Sequence, residues 1–136
     1  MRKIMIVDDN YLSAEGIEKN IDWEVLNAEI VHICYNGTSA IEAMKNEPVD
    51  LIISDIEMPD LDGISMSRQA LDINPMVKII LISAYDKFEY ARRALLLGAL
   101  DYIEKPLDYA YLIQKVKNAF ALMEREQKNL QLLKQR

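Results

Sequence analysis

The chain has 136 residues, 51% hydrophobic and 28% charged, which excludes a disordered chain and favours one compact domain. Its formal net charge of −6 argues against direct binding to nucleic acid, so any contact with DNA is expected to need a further C-terminal domain. The one cysteine, Cys34, cannot form a disulfide within the chain, and no apolar stretch approaches the length of a membrane span. These features predict a soluble cytoplasmic protein that does not enter a membrane.

Short apolar segments rich in β-branched residues predict five strands, at positions 4–7, 30–34, 51–53, 77–82 and 100–103. The segments are almost continuously apolar rather than alternating. This pattern is typical of strands that are covered on both faces, and it indicates a parallel sheet.

Helical periodicity predicts a helix after each strand. The first three are marked by the apolar residues Leu12, Ile17, Ile21, then Ala40, Ile41, Met44, then Ile64 and Leu71. Asp86 and Glu89 form a capping box at the start of a fourth helix, which Gly98 closes, and a fifth begins at Tyr109. Five strand–helix repeats with right-handed crossovers predict a three-layer α/β sandwich around a doubly wound parallel sheet. The spacing does not set the strand order, and we take 2-1-3-4-5, a common order of such flavodoxin-like sheets.

The fifth helix has an apolar seam that continues past the expected edge of the sheet. Its members recur every three or four residues, with Glu126 as the polar exception: Leu112, Val116, Ala119, Met123, Leu130 and Leu133. We therefore predict a domain over residues 1–122 and a helical extension over 123–136. The extension is either a frayed, solvated helix or a short coiled coil leading to an output domain, and we favour the second.

Polar residues stand where the predicted strands end. Asp8 and Asp9 follow the first strand, Asp55 the third, Ser83 the fourth and Lys105 the fifth. Open parallel sheets bind ligands at the carboxyl ends of their strands, and the first and third strands are neighbours in the expected order. We therefore expect the three aspartates to converge in one crevice.

Three converging carboxylates repel one another unless a cation joins them, and oxygen ligands select a hard ion such as Mg²⁺. A carboxylate is also a competent nucleophile for phosphoryl transfer, which would make Asp55 an acyl phosphate. Lys105, Ser83 and the metal ion would then neutralise the oxygens of the transferring group.

The motifs together resemble the receiver domain of two-component response regulators, over about residues 2–122. They are Asp8-Asp9, Asp55-Ile56-Glu57-Met58-Pro59 with Asp62-Gly63, Ser83-Ala84, and Asp101-Tyr102 before Lys105-Pro106. The resemblance implies a CheY-like fold, with Asp55 as the phosphoacceptor and a cis Lys105–Pro106 bond.

The same resemblance implies a metal site and a switch. Asp9 and Asp55 would bind Mg²⁺ directly, Asp8 partly through water, and Glu57 through its backbone carbonyl. Ser83 and Tyr102 would form the switch pair. The implied partners are a sensor histidine kinase as phosphoryl donor and a second copy of the chain. The two copies would meet through the face of helix four, strand five and helix five.

A narrower set of residues resembles receivers fused to AraC-type DNA-binding domains. The residues are Asp22-Trp23, Asp101-Tyr102 and the run from Ser83 to Ala91, Ser-Ala-Tyr-Asp-Lys-Phe-Glu-Tyr-Ala. This resemblance implies a transcriptional output.

Other interpretations remain open. A phosphohydrolase of the haloacid dehalogenase type also forms an aspartyl phosphate, but it has Asp two positions after the nucleophile, where this chain has Glu57. A flavin or dinucleotide binder would need a glycine-rich loop after the first strand, where this chain has Asp8-Asp9-Asn10. The chain could also act as a stand-alone receiver, and Asp8-Asp9 could simply cap the first helix.

Overall fold

The computed structural model describes residues 1–84 and 88–135. Its sheet consists of β1 (Arg2–Val7), β2 (Ala28–Cys34), β3 (Leu51–Asp55), β4 (Lys78–Ser83) and β5 (Asp101–Glu104). The strands are parallel and lie in the order β2-β1-β3-β4-β5. The predicted fold class and strand order are therefore confirmed.

The helices are α1 (Tyr11–Asn20), α2 (Gly37–Asn46), α3 (Gly63–Ile73), α4 (Phe88–Leu97) and α5 (Tyr109–Lys134). Four of them begin after a residue whose side-chain oxygen accepts backbone N–H groups of the first turn: Asn10, Asn36, Asp62 and Asp108. Gly98 follows α4 with a φ of +93°, as predicted for a helix-closing glycine. The predicted cap at Asp86 lies outside the described residues.

The core has two layers because successive strand residues point to opposite faces of the sheet. In β1, Ile4 and Ile6 pack with α1 and α5, whereas Met5 and Val7 pack with α2, α3 and α4. All four side chains are at most 1% exposed. Burial on both faces explains why the sequences of the strands are almost continuously apolar.

Two strands begin one residue later than the apolar runs predict. Val77 is buried, but its N–H donates to the Asn74 carbonyl in a turn. Leu100 precedes β5, and its N–H donates to the Ile79 carbonyl. An apolar residue indicates that the chain is covered by the core. This covering begins one residue before the first paired residue of each of these two strands.

Helix α5 spans 26 residues and remains in contact with the domain for one turn beyond Leu122. Met123 is buried, and Glu126 forms an ion pair of 2.8 Å with Lys78 at the start of β4. Glu126, the polar residue that interrupts the apolar seam, therefore attaches α5 to the start of β4. Beyond it, the helix exposes Leu130 and other leucines. Neither α5 nor any other helix among the described residues has the length and apolarity to cross a membrane.

Candidate functional site

The three predicted aspartates meet at the carboxyl-terminal edge of the sheet. Val7, the last residue of β1, lies beside Ser54 of β3, so the residues that follow each are neighbours. Carboxylate oxygens of Asp8, Asp9 and Asp55 lie within 4.8 Å of one another. Asp8 and Asp55 are buried, whereas Asp9 is exposed and leaves the site open to solvent on one side.

The aspartates do not cap α1 directly. That cap is Asn10, which accepts from the Ser13 N–H at 3.1 Å. Asp8 orients the cap residue, because its Oδ1 accepts from the Asn10 N–H at 2.9 Å. Its other oxygen, Oδ2, lies toward Lys105.

Lys105 supplies the positive charge at the site. Its Nζ lies 3.3 Å from Asp8 Oδ2 and 3.4 Å from Asp55 Oδ2. Its backbone N–H donates to the Ser83 carbonyl at 2.8 Å, and the bond to Pro106 is cis, as the resemblance implied. Burial alone lowers the pKa of Lys105, but the neighbouring carboxylates outweigh this effect and raise the pKa.

Asp55 lies in an unfavourable place for a negative charge. Burial raises its pKa, the ammonium of Lys105 opposes that shift, and the carboxylate of Asp8 adds to it, so that the pKa is raised overall. The charge of Lys105 therefore does not fully compensate the buried carboxylate.

The predicted switch residues lie on the two strands at the far side of the sheet from β2. Ser83 ends β4 and is fully buried. Tyr102 of β5 is half-buried and packs against the apolar layer under α2, α3 and α4. Tyr102 pairs with Leu81, which lies two residues before Ser83 on β4. The side chains of Ser83 and Tyr102 therefore point to this same layer.

Glu57 follows Asp55 by two residues, but its side chain is not among the clustered carboxylates. Its Oε1 accepts a hydrogen bond of 2.9 Å from the hydroxyl of Tyr90 in α4. This bond is the main reason why the pKa of Tyr90 is raised. Tyr90 was not among the predicted site residues, because the two residues are 33 positions apart and no local pattern joins them.

The loop from Asp55 to α3 is held at two points. At Gly63 a Cβ atom would overlap the backbone oxygen of Asp55, so only glycine fits there. Farther along, the Asp60 carboxylate accepts from the N–H groups of Gly37 and Thr38 at 3.2 and 3.1 Å, at the start of α2. Asp60 was also missed by sequence reasoning, because its partners are more than 20 positions away.

Hydrogen bonds give Asp60 a strongly stabilised negative charge. The bond from the Thr38 side chain contributes most and backbone N–H groups add to it, while desolvation opposes them; the pKa falls to about 2. The loop that follows Asp55 is thus fixed to a neighbouring helix by a carboxylate that is ionised at neutral pH.

Residues 4–117 match the profile of the response regulator receiver domain. The chain belongs to this family. Receiver domains are signalling modules that interact with histidine kinases and phosphotransfer partners.

Similar proteins include transcriptional regulators. The uncharacterized transcriptional regulatory protein YesN of Bacillus subtilis is 29% identical over 126 residues, which is 93% of this chain and 34% of that protein. The receiver domain of AraT, a response regulator from Geobacillus stearothermophilus, is 35% identical with a TM-score of 0.87, covering 93% of this chain and 98% of that one.

A third similar protein is a two-component transcriptional regulator AraC from Clostridium phytofermentans. It is 29% identical with a TM-score of 0.83, covering 95% of this chain and 99% of that one. The receiver domain described here spans about a third of the length of YesN.

Receiver domains generally bind Mg²⁺ at an acidic pocket, and the donors of this receiver fit that ion. The ligand atoms available are carboxylate oxygens, which a hard divalent cation prefers. Among the described residues, the three carboxylates face the ammonium of Lys105, and a divalent cation would balance the charge that remains.

Proposed function

We propose that this receiver domain takes a phosphoryl group on Asp55 from a phosphohistidine of a sensor histidine kinase and changes conformation in response. The observation that carries the proposal is the position of Asp55. Its carboxylate lies within 4.8 Å of the carboxylates of Asp8 and Asp9, and 3.4 Å from Lys105 Nζ. A buried nucleophile beside acidic groups and a fixed cation is the arrangement that aspartyl phosphorylation needs.

In the transfer, a carboxylate oxygen of Asp55 forms a bond to phosphorus while the bond from phosphorus to the donor's imidazole nitrogen breaks. The electron pair of the broken bond stays on that nitrogen. Lys105 stabilises the negative charge of the phosphoryl oxygens, since its ammonium is already held beside Asp55. Mg²⁺, held by Asp8, Asp9, Asp55 and the Glu57 carbonyl, would supply further charge neutralisation.

The conformational response would begin at Ser83 and Tyr102. The Ser83 hydroxyl bonds a phosphoryl oxygen, and Tyr102 turns into the space that this movement vacates. Both side chains face the layer beneath α4, so the face formed by α4, β5 and α5 repacks. The phosphorylated state then favours a homodimer through that face.

The output we propose is transcriptional control through an AraC-type DNA-binding domain. The residues shared with receivers of that type and the likeness to a two-component regulator AraC support this output. We assign residues 1–122 to the receiver and 123–136 to a linker, whose first turn still packs on the domain through Met123 and Glu126 and whose later part exposes leucines. DNA contact would come through the output domain only.

The reaction cycle would be limited to the receiver's own phosphorylation and dephosphorylation, without turnover of an external substrate. The single cysteine, Cys34, is free and buried, which fits the reducing cytoplasm, where sensor kinases present their phosphohistidine.

The test is native mass spectrometry with Mg²⁺, with and without acetyl phosphate as donor. We expect the chain to gain one phosphoryl group and shift from monomer to dimer. Asp55→Asn should gain none, whereas Asp72→Asn, at an exposed position of α3, should behave as the unchanged chain does. No phosphoryl gain, or a single-site gain in Asp55→Asn, contradicts the assignment. A gain without a dimer keeps the chemistry at Asp55 but removes the proposed dimer switch.

A further inference from the structure

The loop between β3 and α3 is held to the sheet where it begins and where it ends. The Ile56 N–H donates to the Ile82 carbonyl of β4 at 2.9 Å, and the Gly63 N–H donates to the Ile56 carbonyl at 2.7 Å. Gly63 also lies so close to the Asp55 backbone oxygen that a Cβ atom would overlap it. The two ends of the loop are therefore fixed, and the position of its middle, residues 57–61, depends on further contacts.

A further contact joins the middle of the loop to the start of α2. The two carboxylate oxygens of Asp60 accept from successive backbone N–H groups, that of Gly37 at 3.2 Å and that of Thr38 at 3.1 Å. Because they belong to the first turn of the helix, these N–H groups have no acceptor within it, and the helix dipole favours a negative charge beside them. The loop backbone lies against the same place, since a Cβ atom at Gly37 would overlap the Leu61 backbone oxygen. We call this set of contacts, between residues 60–61 and 37–38, the α2 contact.

The α2 contact is joined by a stiff segment to the backbone carbonyl of Glu57. Only Met58 and Pro59 separate Glu57 from Asp60. The proline ring fixes φ at Pro59, and a residue that precedes proline is restricted to extended conformations. Met58 also packs against the apolar layer under α2, α3 and α4. The position of Asp60 on α2 therefore limits the directions that the Glu57 carbonyl can take.

A backbone carbonyl differs from the carboxylates of the proposed Mg²⁺ site in how it can adjust. An aspartate side chain rotates about its own bonds, whereas a backbone carbonyl moves only with its loop. Mg²⁺ requires near-ideal octahedral geometry, with ligands at about 2.0–2.1 Å. A loop with several conformations would present the carbonyl correctly for only part of the time, and the apparent affinity for the ion would fall by that fraction.

We propose that Asp60 is a positioning residue for Mg²⁺, because its bonds to the start of α2 keep the loop in the conformation that directs the Glu57 carbonyl toward the ion. The inference rests on the proposed function, in which Mg²⁺ binds this carbonyl together with the three clustered aspartates. Asp60 acts through the loop and not as a ligand, since its carboxylate oxygens are turned to α2 and are not part of that cluster. Part of the affinity for the ion is thereby assigned to α2, a helix that carries none of the proposed ligands.

The experiment determines the Mg²⁺ dissociation constant from the stability of the protein. The free energy of unfolding in urea is measured at a series of Mg²⁺ concentrations, and its gain depends on the ratio of the free ion concentration to the dissociation constant. Each variant is compared with itself in EDTA, so that its own loss of stability cancels. The unchanged chain should gain stability with Mg²⁺ and Asp9→Asn should not, which locates the ion at the site independently of the α2 contact.

Two variants weaken the α2 contact in different ways. Asp60→Asn leaves one acceptor oxygen in place of two, so one of the two N–H groups meets an amide that can only donate. Gly37→Ala places a methyl group against the Leu61 backbone oxygen and changes no charge. We expect both to raise the Mg²⁺ dissociation constant roughly 10-fold, at the lower end of the range for residues that orient metal ligands. The control Asp72→Asn removes a carboxylate from an exposed position of α3 and should leave the constant unchanged.

An unchanged dissociation constant in Asp60→Asn would overturn the proposal. An unchanged constant in a folded Gly37→Ala chain would also overturn it, because the loss in Asp60→Asn would then come from the removed charge. If Gly37→Ala does not fold, the salt dependence of the Asp60→Asn effect decides. A positioning effect keeps its size in about 0.5 M KCl, whereas an effect of charge alone is screened and disappears, which would refute the positioning role.

A failure of the proposed cation site has a different signature. The unchanged chain would then gain no stability from Mg²⁺, or would gain as much in Asp9→Asn, and the inference would fall with the site. The phosphoryl gain at Asp55 is measured separately by mass, so the two results are distinguishable.

Discussion

The two edges of the sheet both hold partly buried charges, but they balance them differently. At the carboxyl-terminal edge, within residues 1–84 and 88–135, three aspartate carboxylates meet one ammonium, that of Lys105. At the amino-terminal edge Lys78 meets one carboxylate, that of Glu126, at 2.8 Å. The first group has excess negative charge, whereas the second is a matched pair.

The difference separates a structural contact from a functional one. A matched pair needs nothing from solution, and it anchors α5 to the start of β4. Burial, with the Asp8 carboxylate adding to it, raises the pKa of Asp55, so that the ionised form of Asp55 is a cost to the native state. A fold retains such a cost where the site has another task, which we propose here to be the binding of a cation and a phosphoryl group.

The largest effect is expected from a glycine at the site edge. Gly63→Ala places a methyl group on the backbone oxygen of Asp55, and neither backbone segment can rotate away. We expect a loss of about 3 kcal/mol or more in the free energy of unfolding, measured by urea denaturation. The matched variant at the opposite edge is Gly98→Ala, where nothing lies within 4 Å and only the φ of +93° opposes a side chain. It should cost about 1–2 kcal/mol.

Equal costs for the two substitutions would contradict the close approach at Gly63. They would mean that the loop after Asp55 can move away from α3 and is not fixed as the structure has it.

The next largest effect is stabilisation by Mg²⁺, which should occur at one edge only. At a concentration of 100 times its dissociation constant, a ligand of the native state adds about 2.7 kcal/mol to the free energy of unfolding. We expect this gain in the unchanged chain and its loss in Asp9→Asn, measured by thermal unfolding with and without EDTA. Glu126→Gln should keep the gain, since its pair lies at the other edge. A gain that survives in Asp9→Asn would place the ion elsewhere.

A smaller effect is expected from the matched pair. The side chains of Lys78 and Glu126 are 15% and 31% exposed, so their interaction should exceed that of a surface pair without reaching that of a buried one. We expect a coupling of about 1 kcal/mol in a double-mutant cycle of Lys78→Met and Glu126→Gln. The control pair is Lys45 and Glu42 in α2, which is well exposed and should show almost none.

Phosphorylation of Asp55 should stay unchanged in the Lys78 and Glu126 variants, because the pair lies at the opposite edge of the sheet. A defect in phosphoryl gain would mean that the two edges are coupled through β4.

The residues of the site edge could be predicted because each one follows directly from a local pattern. An apolar run ends at Asp8 and another at Asp55, and parallel strands bring their ends together. The starts of β4 and β5 were predicted one residue too early, because Val77 and Leu100 are apolar but precede the first paired residues of their strands.

Contacts between distant segments were not predictable in the same way. Glu126 interrupted the apolar seam, and its partner Lys78 lies 48 positions away. Tyr90 and Asp60 were missed for the same reason, because a hydrogen bond across elements leaves no periodic signal in one sequence. Their effects depend on side-chain placement, which only the packed structure fixes.

The smallest predicted effect concerns Asp60 and pH. Its pKa is lowered from 3.8 to about 2 in the folded chain, chiefly by the hydrogen bond from Thr38. The unfolded chain therefore binds a proton more readily, and the stabilising contribution of Asp60 is present above about pH 4 and lost as pH falls towards about 2. In Asp60→Asn this titration is absent. The stability difference between the two chains, measured by urea denaturation, should shrink over that pH range.

Asp55 titrates in the opposite sense, because its pKa is raised in the folded chain and its protonation at low pH relieves a cost. Both chains in the comparison keep Asp55, so its contribution cancels in the difference and the pH dependence belongs to Asp60. A difference that stays constant from pH 5 to pH 2.5 would show that the negative charge of Asp60 does not hold the loop to α2. The hydrogen-bond geometry alone, which asparagine partly keeps, would then account for the contact.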